Sequence, residues 1–146
     1  MDKNGIISVD PKAKGGLGLS MLRELARKDV PTVDVKLGSA AKVKNGIGPA
    51  RTHAVDVKVD AGGGLTVPAG ISMSGNTEVY VDPKGGFAGN KWASPSLVMG
   101  HELLGHAFDF VFRGQSSERS AVTTETNLLL QFGLPQFRPI PMDHDP

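Results

Sequence analysis

The sequence has no cysteine, one tryptophan and one tyrosine. Without thiols no disulfide forms and no thiolate can ligate a metal, so any metal must be held by histidine and carboxylate side chains. Charge of either sign is scarcely in excess: 16 Lys and Arg stand against 15 Asp and Glu, well mixed along the chain. No basic stripe interleaved with aromatics occurs, which argues against nucleic acid as a partner. Also missing is an apolar run near the length that spans a bilayer. The opening Met1-Asp2-Lys3-Asn4-Gly5 lacks the charged-then-apolar design of a secretory signal. Two locations are therefore expected, cytoplasmic or exported as part of a larger secreted protein, and the residues do not choose between them.

What the chain has in quantity is glycine, 19 of 146 residues, most of it between positions 15 and 90. That distribution predicts short strands and turns there, within a single domain over 1–146. Leu19, Leu22, Leu25 and Ala26 recur at helical spacing, with Arg23, Glu24 and Lys28 opposite, so a short amphipathic helix should end before Pro31. Val33, Val35 and Leu37 alternate with polar residues, as do Val55, Val57 and Val59, the period-2 signature of half-buried strands. Further strands are expected at Gly5 to Val9, Leu65 to Val67 and Thr77 to Asp82, with Gly62-Gly63-Gly64 closing a hairpin. Gly38 to Arg51 reads as a loop. Asp2 to Gly5 is a plain turn, since a calcium loop would need further acidic positions. Gly15 to Gly18 lacks the Lys-Ser/Thr ending of a phosphate loop.

Beyond residue 93 the pattern becomes helical. Ser94-Pro95 is a helix start, a side-chain cap before proline at the first helical position. The helix should run from Ser96 to about Arg113 and stop at Gly114. A second should begin near Ser116 or Ser117 and reach about Phe132, leaving residues 134–146 as an extended tail. The expected architecture is α+β, a small, mostly antiparallel sheet followed by two helices.

The first of those helices carries His101-Glu102-Leu103-Leu104-Gly105-His106, which holds half of the four histidines. A catalytic zinc takes three protein ligands and leaves one position open. Two histidines on one helix face with Glu beside the first supply two neutral nitrogens and a general base. The histidines here are five residues apart instead of the usual four. On a regular α-helix four steps leave side chains about 40° apart and five about 140°, too divergent to share one ion. The helix is therefore expected to widen by one residue in a π-type turn, which aligns positions five apart, with Gly105 easing the distortion. Unrelated helix histidines beside a chance Glu are the competing reading. A buried His-Glu-His trio without a metal, on a helix with Leu97, Val98, Leu104, Phe108 and Val111, would be hard to satisfy.

For the third ligand, helix geometry leaves Glu118 and Glu125 both open, because they lie about two turns apart on nearly the same face. Tyr80 on its strand could donate to an oxyanion, but half-buried packing is the plainer reading. His53 and His144 read as surface histidines, although Asp143 and Asp145 flank the latter. The strand Thr77 to Asp82 is expected to offer its edge to an extended substrate.

The segment His101 to His106 resembles the zinc motif of the dipeptidyl peptidase III family, whose histidines are also five apart. From about Gly16 to Pro135 the order of elements also resembles compact Glu-zincin metallopeptidase domains of bacterial effectors and polymorphic toxins, including RHS-associated ones. That resemblance implies a zincin-like fold. It selects Glu118 as third ligand, because Glu118 with Ala121 matches the Glu-x-x-Ala of those proteins, and it implies that Asp109 orients a ligand imidazole. It further implies a larger parent protein with an inhibitor or immunity partner. The expected function is zinc-dependent hydrolysis of a protein or peptide substrate, with His101, His106 and Glu118 holding Zn2+ and Glu102 as general base. The alternative is a non-catalytic metal-binding or interaction module of a larger secreted or surface protein.

Overall fold

The computed structural model describes residues 8–38, 63–72, 74–82, 95–131 and 133. Helix α1 (Leu17–Leu25) follows Gly16 and ends well before Pro31. Its N-terminus carries no side-chain cap of its own; the Leu17 amide donates instead to Gln131 Oε1 at 3.0 Å. Strands β1 (Val33–Leu37), β2 (Gly64–Val67) and β3 (Thr77–Val81) form one sheet in the order β1-β3-β2. Four helical segments complete the description: α2 (Pro95–Met99), a π-helical segment π1 (Gly100–Ala107), α3 (Phe108–Arg113) and α4 (Glu118–Gln131). The first three run on from one another. No helix among the described residues is long and apolar enough to cross a membrane.

The α+β class holds, with one change of detail. The sheet is mixed, β1 pairing parallel to β3 and β2 antiparallel to it. Residue alternation reports which face is buried and not which way a strand runs. A parallel neighbour requires a long connection, and the residues between Leu37 and Thr77 supply it. Residues 8 and 9 of the expected first strand are not in a strand. The remainder of that strand, the strand at Val55 to Val59, most of the loop after Gly38, the Ser94 cap, Phe132, the tail, His53 and His144 lie outside the described residues.

The pleat sorts the sheet's side chains into two sets. Val35, Val79 and Val81 face the helices and bury against Val98, Leu103, Leu104 and Ala107, with Met21, Leu22, Leu25 and Leu128 packed around them. Full burial of such a side chain contributes about 1.5–3 kcal/mol, so this layer binds π1 firmly to the sheet. On the other face Leu65 and Val67 pack with Ile71 and Tyr80. There Glu78 accepts from Ser72 Oγ at 2.8 Å, Ser74 Oγ at 2.7 Å, Lys36 Nζ at 3.1 Å and the Tyr80 hydroxyl. Burial would raise the Glu78 carboxyl, but these donors, led by Tyr80, outweigh it and bring it down to about 2.

Candidate metal centre

The five-residue spacing of the histidines is met by the widened helix it demands. From Gly100 to Ala107 the backbone is π-helical, and the Phe108 amide that closes the segment points back to the Leu103 carbonyl, five residues earlier. The distortion occupies a whole eight-residue segment instead of a single turn. The rings at positions 101 and 106 consequently meet edge to face, with centroids 4.9 Å apart and planes at 79°. Every residue from His101 to Ala107 is buried.

Gly105 has a role beyond easing the turn. A Cβ built there would lie 2.7 Å from both Cα and Cβ of Ala121. The absent side chain thus lets α4 approach π1 closely, and Ala121 is the small residue that meets it. The connection between them is short: Gly114 stops α3 in the left-handed region with φ of 73°, and Ser117 Oγ caps α4 by accepting from the Ser120 amide at 3.2 Å. Glu118, the first residue of α4, is thereby delivered to the histidines.

Glu118 Oε2 lies 3.3 Å from His101 Nε2 and 3.2 Å from His106 Nε2. The three side chains are 1–3% exposed. Glu125 sits on the opposite side of His101, its Oε2 2.9 Å from Nδ1. The two carboxylates left open by sequence therefore take different places, Glu118 among the Nε2 atoms and Glu125 behind one ring. In the tautomers that a bound metal would select, Nδ1 of His101 donates to Glu125 and Nδ1 of His106 donates to Ser116 Oγ at 2.9 Å, which leaves both Nε2 lone pairs directed at Glu118.

In those tautomers three buried acceptors face one another, and they repel unless a cation lies among them. A proton is one such cation. Burial favours neutral His101, but hydrogen bonds to Glu118 and Glu125, with the charge of Glu102, outweigh it and raise the imidazole to about 10. Burial likewise raises Glu118, and the contacts with His101 and His106 overturn this, holding the carboxyl well below its usual range. A divalent metal is the other. His101, His106 and Glu118 offer ligand atoms within 4.8 Å of one another, the group among the described residues that could hold an ion. Ligands about 2.0–2.1 Å from a tetrahedral ion are about 3.3 Å apart, which matches both nitrogen–oxygen separations. The residues could hold a metal ion with two nitrogens and one carboxylate.

Glu102 is 2% exposed and projects toward β2, where its Oε2 accepts from Thr66 Oγ1 at 2.6 Å. Asp109 does not take the part its spacing suggested: its carboxylate pairs with Arg113 Nη1 at 3.1 Å, one helical turn on. The partners behind the imidazoles are Glu125 and Ser116 instead. Ser116 reads in the sequence only as a candidate start of the second helix, and no local signal marks it as a histidine partner, since that role depends on the tight turn after Gly114. Thr66 was also missed, though it falls on the inward phase of a recognised strand. Tyr80 lies on the sheet face away from the histidines, hydrogen-bonded to Glu78 and Lys36, as packing predicts. The expectation that β3 offers an edge is overturned, because β1 and β2 flank it on both sides. Comparison with family models, curated proteins and solved structures gives no match.

Proposed function

We propose that the chain is a zinc-dependent metallopeptidase in which His101, His106 and Glu118 hold the metal and Glu102 is the general base. The observation that carries this reading is the convergence of two Nε2 atoms on one Glu118 oxygen at tetrahedral-edge separations, with a buried carboxylate at the next helix position. Zinc, when bound, supplies a Lewis acid that polarises a carbonyl and acidifies water. Glu102 accepts the proton of the attacking water and returns it to the departing amine. Glu125 and Ser116 hold the two imidazoles in the tautomer that leaves Nε2 for the metal. The likeness of the sequence to effector and toxin peptidases is what extends the proposal to an amide bond in a protein target, a larger parent chain and an inhibitor partner.

The test is Glu102→Gln in zinc-loaded protein, assayed on a peptide library with chelator controls. Hydrolysis should fall at least about 100-fold, the lower range for general-base catalysis, while zinc remains stoichiometric. Wild-type turnover in that variant refutes the assignment. Stoichiometric zinc in a wild-type protein that cleaves no library peptide would favour the non-catalytic module.

A further inference from the structure

We infer that strand β2 aims the general base: Thr66 is a positioning residue that fixes the Glu102 carboxylate, and Gly64 provides the space in which it is held. The consequence for catalysis rests on the hydrolytic reading above; the contact itself does not.

The register of β2 decides which side chains can reach π1. Gly64 is opposite Val81 and Thr66 opposite Val79, and those valines line the helix-facing core. Leu65 and Val67 point to the other face. Of the four residues of β2, the two on the inner face are thus the two that meet Glu102. Thr66 Oγ1 lies 2.6 Å from Glu102 Oε2 and 3.1 Å from the Glu102 carbonyl oxygen, so its single proton is directed at the nearer carboxylate and shared only weakly with the carbonyl. Satisfying a buried threonine would need only the carbonyl. The hydroxyl instead makes its shorter contact to the carboxylate, which ties one carboxylate oxygen and so sets the direction of the other.

Gly64 explains how the carboxylate comes so close to the strand. A Cβ there would stand 2.6 Å from Glu102 Cγ, 2.6 Å from Val98 Cγ1 and 2.8 Å from Glu102 Oε1. Those separations are below any real contact, so a side chain at 64 would evict Glu102 from its present place. The backbone of β2 therefore forms a wall against which Glu102 lies, and Thr66 pins it there. A flexible glutamate held this way keeps one orientation, and misplacement of a reacting group by about 1 Å costs on the order of 100-fold in rate.

Thr66→Val, Thr66→Ser and Gly64→Ala test this in zinc-loaded protein. Thr66→Val should lower kcat about 10–100-fold, with KM within about twofold and zinc stoichiometry unchanged. Thr66→Ser should restore kcat to within about threefold of wild type, and Gly64→Ala should impair kcat as Thr66→Val does. A second readout needs no activity. In protein carrying 13C-carboxyl glutamate, the Glu102 resonance, identified by its loss in Glu102→Gln, should shift in Thr66→Val and hold its position in Thr66→Ser. An unmoved resonance in Thr66→Val, wild-type kcat in that variant, or a Thr66→Ser protein as impaired as Thr66→Val overturns the inference. If the wild type cleaves no peptide, the hydrolytic reading fails, and the carboxyl resonance alone decides whether Thr66 holds Glu102.

Discussion

Adding one methyl group at Gly105 should disable the metal centre without touching a ligand. The new Cβ would begin 2.7 Å from Cα and Cβ of Ala121, whereas carbon atoms in contact settle at about 3.5–4.0 Å. To relieve this α4 must withdraw from π1 by about 1 Å. Glu118 lies three residues before Ala121 and moves with the helix, while His101 and His106 stay with π1. Metal–ligand distances tolerate about ±0.2 Å, so a shift several times larger separates the carboxylate from the two nitrogens. Gly105→Ala should therefore weaken zinc binding about 10–100-fold, the range seen when supports of a metal site are lost, and cost about 1–3 kcal/mol through overpacking. Competition with a chromophoric chelator measures the first and urea denaturation the second. Far-ultraviolet circular dichroism confirms that the variant has folded. Adding Ala121→Gly should restore only part of the affinity, because the Ala121 Cα remains equally close. Wild-type zinc affinity in Gly105→Ala would refute the argument that this contact places Glu118.

Glu118→Ala should abolish zinc binding at micromolar metal, whereas Glu125→Ala, which removes only the partner of His101 Nδ1, should weaken it about 10–100-fold; the reverse order would exchange their roles. Zinc must displace the proton that His101 retains up to about pH 10, so affinity should rise by up to about tenfold per pH unit from about pH 6 to 8, with proton release seen by calorimetry in buffers of different ionisation enthalpy. A pH-independent affinity would contradict that protonation state. On the far face of the sheet, the Glu78 carboxyl falls from an ordinary 4.5 to about 2. A depressed carboxyl stabilises the fold above its unfolded value and loses that contribution as pH drops to the folded one. Glu78→Gln should cost on the order of 1–3 kcal/mol at pH 7 and little near pH 2 by denaturant titration; an equal cost at both would refute it.

The residues that announce themselves in the sequence are those whose chemistry and spacing are both local. His101, Glu102 and His106 form one contiguous pattern, and the mismatch between five-residue spacing and a 3.6-residue turn requires π geometry wherever both histidines share one ion. The helix ends at Gly114 and Leu25 and the strands at Val33 and Thr77 follow from glycine, proline and alternation in the same way. Long-range relations were not legible. Glu118 and Glu125 have the same residue type and nearly the same helix face; only the closeness of Gly105 to Ala121 and the turn at Gly114 decide which reaches Nε2. Asp109 had suitable spacing but found Arg113 on its own helix. Strand direction, hence the central place of β3 and the loss of its edge, is set by a connection whose path alternation does not encode.

A π-helical segment is disfavoured in isolation, so its neighbours must hold it in place. On one side Leu103, Leu104 and Ala107 are buried against Val35, Val79 and Val81. On another Gly105 admits Ala121, and toward β2 the Thr66 hydroxyl donates to the Glu102 carboxylate. Return to α geometry would turn residues five apart, aligned in the π segment, about 140° away from one another. Leu104 and Ala107 would leave the sheet, and His106 would leave Glu118 in the same motion. The packing that stabilises the core and the alignment that brings two imidazoles to one carboxylate are therefore a single structural state, and the helix cannot give up one and keep the other. This is why the polar set His101, Glu102, His106, Glu118 and Glu125 can be buried almost completely. Each of its members is aimed by a backbone that the apolar residues between them have already fixed.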